Sequence, residues 1–147
     1  MVKTVLGQYH NNIAPNGRVA LPKKFRDQLG AKFILTQGYE QSLLMVPFEN
    51  WENLIKNTVN KPFLIGEARD TVRFLLGGAT PVDLDDQGRF IVPDYLREYC
   101  GLASEAIFLG LGNYLEIWDS SRWSAYQKKL HTHIEEIADK LSKTDSE

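Results

Sequence analysis

Arg18, Lys23, Lys24 and Arg26 put four cations within nine residues, and the first carboxylate to answer them is Asp27. Such a cluster suits contact with a nucleic acid, whose phosphates supply the complementary charge. The same four residues also fit the solvated face of a short helix, and composition alone leaves both readings open. Other residues that could do chemistry are arranged less suggestively. His131 and His133 stand two apart, a spacing that puts them on different faces of a helix, and His10 is remote in sequence. Asp83, Asp85 and Asp86 invite a divalent cation, but the ligand spacing of a calcium loop is missing and an Asp-rich turn is the commoner cause of such a run. Cys100 is the one cysteine, which excludes an internal disulfide and a cysteine-rich zinc site and suits a small core residue. No glycine-rich phosphate loop, serine elbow or His-Glu-x-x-His helix occurs. An enzyme, a metal and a cofactor are therefore not expected.

The elements that must position the cations follow from charge and repetition. With 147 residues, 43% hydrophobic and 24% charged, the chain suits one domain or two small related lobes. Its net charge of −2 hides an asymmetry, because residues 1–76 carry +4 and residues 77–147 carry −6. Lys3, Arg18, Lys23, Lys24 and Arg26 against Asp27 already give +4 in the first thirty residues. An anionic partner is therefore expected on the first half. No apolar run is long enough for a membrane span or a secretory signal, so a cytoplasmic protein is expected.

The segment from Ile13 to Gly30 lies on that from Leu84 to Gly101 at a constant offset of 71. Shared are a Gly-Arg pair (Gly17-Arg18, Gly88-Arg89), an apolar triplet, a proline (Pro22, Pro93), an arginine four residues later (Arg26, Arg97) and a closing glycine. Leu44 to Pro47 followed by Trp51 answers Glu116 to Asp119 followed by Trp123 at offset 72. The chain is a tandem duplication. Asn16-Gly17 and Gln87-Gly88 read as turns into short strands, Val19-Ala20-Leu21 and Phe90-Ile91-Val92. Pro22 and Pro93 start helices of one to two turns, which Gly30 and Gly101 end. Hairpins follow at Lys32–Gln37 with Ser42–Val46, and at Ala106–Leu109 with Tyr114–Trp118. Helices are expected from Phe48 to about Asn57 and from Ser120 to about Ser142, and Lys143 to Glu147 should fray. Between the repeats, Pro62 opens a helical connector whose apolar face is Leu64, Ala68, Val72, Leu75 and Leu76, stopped by Gly77-Gly78. Trp51, Trp118 and Trp123 have apolar neighbours and suit packing better than stacking on bases. On the last helix Trp123, Leu130, Ile134, Ile137 and Leu141 form a stripe whose outer part could meet another subunit.

Taken together, Leu6-Gly7, the Gly17-Arg18 turn, Val19-Ala20-Leu21-Pro22-x-x-Phe25-Arg26, the tryptophan after the hairpin, Arg73-Phe74-Leu75-Leu76-Gly77-Gly78 and Asp85-x-x-Gly88-Arg89 resemble the MraZ family over roughly residues 5–126. The resemblance implies a transcriptional regulator of the AbrB-like superfamily. It would have two swapped-hairpin-type lobes per chain, assemble into a homo-oligomeric ring, and act as a repressor on short repeated boxes upstream of the division and cell-wall gene cluster that contains its own gene. The family pattern Asp-x-x-x-Arg is met by Asp85 and Arg89, whereas the first copy keeps Arg18 but has Ala14 in the aspartate's place. Arg18 is thus less restrained, and either Asn16 takes over part of the bracing or DNA itself does. With the resemblance, Arg18 becomes the candidate base reader, since an arginine fork can bond guanine O6 and N7 together. Lys23 and Lys24 suit phosphates, Arg26 suits a phosphate or Asp27, and Arg89 should mainly hold its own turn and touch DNA secondarily.

The expected fold is therefore α/β: a basic, DNA-facing first repeat (5–60), a connector helix (61–78), a second repeat (79–126) and a helical extension with tail (127–147). The expected function is sequence-specific binding of double-stranded DNA as a nucleoid-associated repressor. Two other classes are consistent with parts of the sequence. An antitoxin-like module that binds a protein would need one lobe and a disordered tail, and a ring-shaped scaffold without DNA would suit the net acidity. A steep salt dependence of duplex binding separates the first reading from both. The apolar surface that closes a ring is expected at the hairpin edges and on the connector face of Val72, Leu75 and Leu76.

Overall fold

The computed structural model describes residues 4–145; Lys3, and Ser146 and Glu147 of the expected frayed tail, lie outside them. The first repeat supplies β1 (Val5–Asn12), β2 (Arg18–Ala20), α1 (Lys23–Leu29), β3 (Lys32–Gln37), β4 (Leu43–Pro47) and, after a single 3-10 turn, α2 (Trp51–Val59). The second supplies β5 (Thr80–Asp83), β6 (Arg89–Ile91), α4 (Asp94–Cys100), β7 (Glu105–Gly112), β8 (Leu115–Asp119) and α5 (Ser120–Asp145), with α3 (Gly66–Gly77) between the repeats. Pro22 and Pro93 occupy the residue before each short helix in extended backbone. There the missing N–H costs nothing.

The expected connector helix is shorter than the sequence suggests. It begins at Gly66, and Leu64, expected on its apolar face, lies outside it and is 89% exposed. Conversely, α5 does not fray at Lys143 but continues to Asp145. Its start packs well: the Trp118, Trp123 and Tyr126 rings meet with centroids 5.0–6.3 Å apart. Further out, Ile134, Ile137 and Leu141 stay exposed.

The strand order of the six-stranded sheet is β1-β7-β8-β4-β3-β5, and β2 pairs with β6 in a separate ribbon. Each hairpin, β3–β4 and β7–β8, is local, but each repeat's first strand lies on the other repeat's hairpin: β1 on β7 (Tyr9 opposite Phe108) and β5 on β3 (Val82 opposite Phe33). The two hairpins then join through β4 and β8, Leu44 opposite Glu116. The repeats are interlocked about a pseudo-twofold axis, which the loop bonds repeat: Ile13 N–H to the Ser104 carbonyl and Leu84 N–H to the Ala31 carbonyl, both 2.9 Å.

Interlocking yields one core from both repeats. Val5, Phe25, Phe33, Leu35 and Met45 of the first pack with Phe90, Leu96, Cys100, Phe108 and Ile117 of the second. Burial pushes the Cys100 thiol up to about 11. At pH 8 only on the order of one thiol in a thousand would then be thiolate. An aromatic disulfide reagent at pH 8 is therefore expected to leave the native protein unmodified and to titrate one thiol after unfolding. Rapid reaction of the native chain would contradict this burial.

Candidate nucleic-acid interface

The β2–β6 ribbon positions the cations. Arg18 lies opposite Ile91, Val19 opposite Phe90 and Ala20 opposite Arg89, with the apolar pair Val19 and Phe90 pinned into the core. The ribbon is closed at its ends by Val92 N–H to the Gly17 carbonyl and Leu21 N–H to the Gly88 carbonyl, both 2.9 Å. Each turn is thereby fastened to the other repeat. Gly17 has φ +90°, and a Cβ there would come within 2.7 Å of the Val92 carbonyl oxygen. Glycine is needed for both the backbone conformation and the close approach.

Both turns share a backbone frame. Gly17 N–H bonds the Ala14 carbonyl and Ala14 N–H the Arg18 carbonyl, as Gly88 and Asp85 do with Asp85 and Arg89. Their side-chain bracing differs. The Asp85 carboxylate accepts the backbone N–H of Gln87 (2.8 Å) and of Arg89 (2.9 Å), and its second oxygen takes the Arg89 Nε–H at 3.1 Å. These bonds, led by the Arg89 amide, hold the carboxyl below its ordinary pKa. The anion that braces the turn persists at neutral pH and is lost only in acid, as the pH falls through that lowered pKa. In the first turn, Asn16 Oδ1 accepts the Arg18 N–H at 3.0 Å and so takes over one of the three bonds.

Among the described residues, the Arg18 side chain is exposed and has no ion pair, whereas that of Arg89 is half-buried and engaged by Asp85. The two arginines line one shallow depression of about 320 Å³ together with Asp83, Asp85 and Ile91. Lys23 and Lys24 are exposed in the first turn of α1, with Lys24 Nζ 5.8 Å from the centre of the Tyr9 ring. Arg26 is half-buried. It lies over the Gly88 turn, where a Cβ on that glycine would collide with its guanidinium, and its Nε is buried. Arg18 and Arg89 are thus brought together on one depression, Lys23 and Lys24 stand exposed on the helix that follows β2, and Arg26 packs over the second turn.

Sequence reasoning passed over Arg97. Its Nη1 donates to the Pro15 carbonyl at 2.9 Å, a bond from the second repeat into the first turn. The offset of 71 pairs Arg97 with Arg26 but carries no sign that it reaches the first repeat's turn. The aspartate run is likewise no cluster of ligands: among the described residues no three His, Cys, Asp or Glu converge as a metal site would require. Nor is any helix there long and apolar enough to cross a membrane.

Comparison with known proteins agrees with the duplication. The family model "MraZ protein, putative antitoxin-like" matches twice, at residues 5–74 and 75–144. A protein of Syntrophomonas wolfei named transcriptional regulator MraZ is 37% identical over 136 residues, covering 92% of this chain and 95% of the relative. Its namesake in Acetivibrio thermocellus is 39% identical over 136 residues, with the same shares. That of Halothermothrix orenii is 40% identical over 133 residues, or 90% and 93%.

Proposed function

The chain belongs to the MraZ family, and from that premise we propose that it is a transcriptional regulator that binds double-stranded DNA through the β2–β6 ribbon and the start of α1. The observation that carries this reading is the exposed Arg18 guanidinium, without an ion pair among the described residues, on a turn fixed from both repeats and followed by exposed Lys23 and Lys24. A two-stranded ribbon fits the major groove, where an arginine fork can bond guanine while ammonium groups hold phosphates. The acidic side of the depression, Asp83 and Asp85, repels phosphate, so DNA approaches from the first-repeat side. Arg89 acts chiefly through its turn. The finer reading is repression of the division and cell-wall gene cluster that includes its own gene. A footprint on the duplex upstream of that gene tests it, and protection of short repeated boxes is expected. Binding should weaken steeply with salt, with a log–log slope of about −0.9 per phosphate neutralised. No protected box, or affinity insensitive to salt, would refute the proposal.

Assembly is the second part of this reading. Of the connector residues expected to close a ring, Leu75 is buried and its carbonyl accepts the Thr36 hydroxyl at 2.6 Å, whereas Val72 and Leu76 are half-buried. Beside them the turn before α3 is exposed, with Phe63 79%, Leu64 89% and Ile65 50% accessible. A contiguous apolar surface of this kind marks an interface. Repeated boxes would then engage repeated arginines, an avidity gain of ~10²–10⁴ without new contact types. Light scattering coupled to size exclusion at micromolar concentration is expected to show a closed multiple of 16.8 kDa. A monodisperse single chain would contradict the assembly.

A further inference from the structure

The missing aspartate at position 14 leaves a question that the second repeat answers. At offset 71, Ala14 stands where Asp85 does, Lys23 where Asp94 does and Arg26 where Arg97 does. The second turn braces itself through three bonds to Asp85, and the side chain of the arginine lying over it, Arg26, makes no hydrogen bond or ion pair among the described residues. The first turn has only Asn16 of its own, and the arginine lying over it does bond: Arg97 Nη1 to the Pro15 carbonyl, Nη2 to the Asp94 carboxylate. Its Nε sits 3.0 Å from where a Gly17 Cβ would be, and its side chain is only 23% exposed.

We propose that Arg97, oriented by Asp94, is the positioning residue for the Arg18 turn, supplying from the second repeat the bracing that Ala14 cannot. The planar guanidinium is suited to this task, since one fork can bond the turn carbonyl and the orienting carboxylate at once. The exchange also explains a charge difference between the helices. Asp94 orients a clamp, whereas its counterpart Lys23 stays exposed at the start of α1, whose Arg26 lies over the Gly88 turn. The more acidic second repeat thus contributes to recognition through the turn it holds. Fixing Arg18 before DNA arrives lowers the ordering cost of binding.

This inference rests on the reading of Arg18 as a DNA contact, and its test separates the two. Arg97→Gln, the milder surface change Asp94→Asn, and both combined with Ala14→Asp are compared in melting, in amide exchange at Gly17 and Arg18 without DNA, and in band shifts with the footprinted duplex. Arg97→Gln is expected to speed exchange at both amides and to weaken specific binding roughly three- to tenfold, the size of one net hydrogen bond. Asp94→Asn should act in the same direction with unchanged melting. Ala14→Asp should restore both readouts in the Arg97→Gln chain while changing the parent little. Unchanged exchange in the two single variants, or a loss that Ala14→Asp does not repair, overturns the positioning role. If exchange responds as expected while the parent shows no specific band shift, the DNA reading falls and the brace stands as a structural device alone.

Discussion

Arg18→Ala is expected to abolish sequence-specific DNA binding while leaving the melting temperature within a degree or two of the parent. The side chain is exposed and has no ion pair among the described residues, and the turn is held by backbone bonds, Asn16 and Arg97. Its removal therefore costs the fold little, as is usual for surface substitutions away from buried features. For the complex, the proposed role of Arg18 makes the loss a bidentate base contact, about 1–3 kcal/mol per site. Because each further box engaged is effectively intramolecular, the loss multiplies over the subunits bound. Lys23→Ala should instead weaken specific and non-specific duplexes alike and reduce the salt slope by about one phosphate. Band shifts with boxed and scrambled duplexes, beside thermal melts, separate the two roles. Undiminished preference of the Arg18→Ala chain for the boxed duplex would remove Arg18 from the interface.

The largest effect on stability is expected from Phe108→Ala. Phe108 is fully buried on β7, between Tyr9 of β1 and Ile117 of β8, with its ring edge-on to Phe90 at 6.5 Å. Truncating a buried phenylalanine costs about 3–5 kcal/mol through lost transfer energy and the cavity left behind. For a chain of this length that corresponds to a fall on the order of 10 °C in Tm. Both repeats line the cavity, so neither should retain its fold alone. Calorimetry of the parent and of the variant should each show one transition, with calorimetric and van't Hoff enthalpies equal. Two transitions, or a second-repeat substitution that leaves first-repeat amides protected, would contradict a shared core.

Much of this fold is legible in the repeat. Gly17 and Gly88 announce turns because positive φ is open to glycine, Pro22 and Pro93 mark helix starts, and the short apolar runs around Leu35 and Met45 show strands buried on both faces. Two strands are not legible. β1 runs through Gly7, Gln8, Asn11 and Asn12, and β5 is Thr80-Pro81-Val82-Asp83. Both are edge strands, half solvated and poor in alternating apolar residues, and Pro81 is tolerated there because an edge strand has N–H groups that need no partner. The cationic candidates were legible as a group but not in their individual roles. Arg26 and Arg97 occupy equivalent positions, and nothing in their immediate neighbours shows that each reaches across to the opposite repeat's turn.

The amino-acid sequence by itself determined the local elements, the twofold repetition and the placing of positive charge in the first copy. These depend on backbone preferences and side-chain types within about ten residues. Tertiary structure alone decided that β1 lies on β7 and β5 on β3, that each turn is fastened to the other repeat through Val92 or Leu21, and that Arg97 reaches from the second repeat to the Pro15 carbonyl of the first turn. The physical reason is the duplication itself. Each first strand meets nearly the same apolar surface on either hairpin, so local pattern cannot choose between them, and the choice falls to the pairing that buries both repeats in one core.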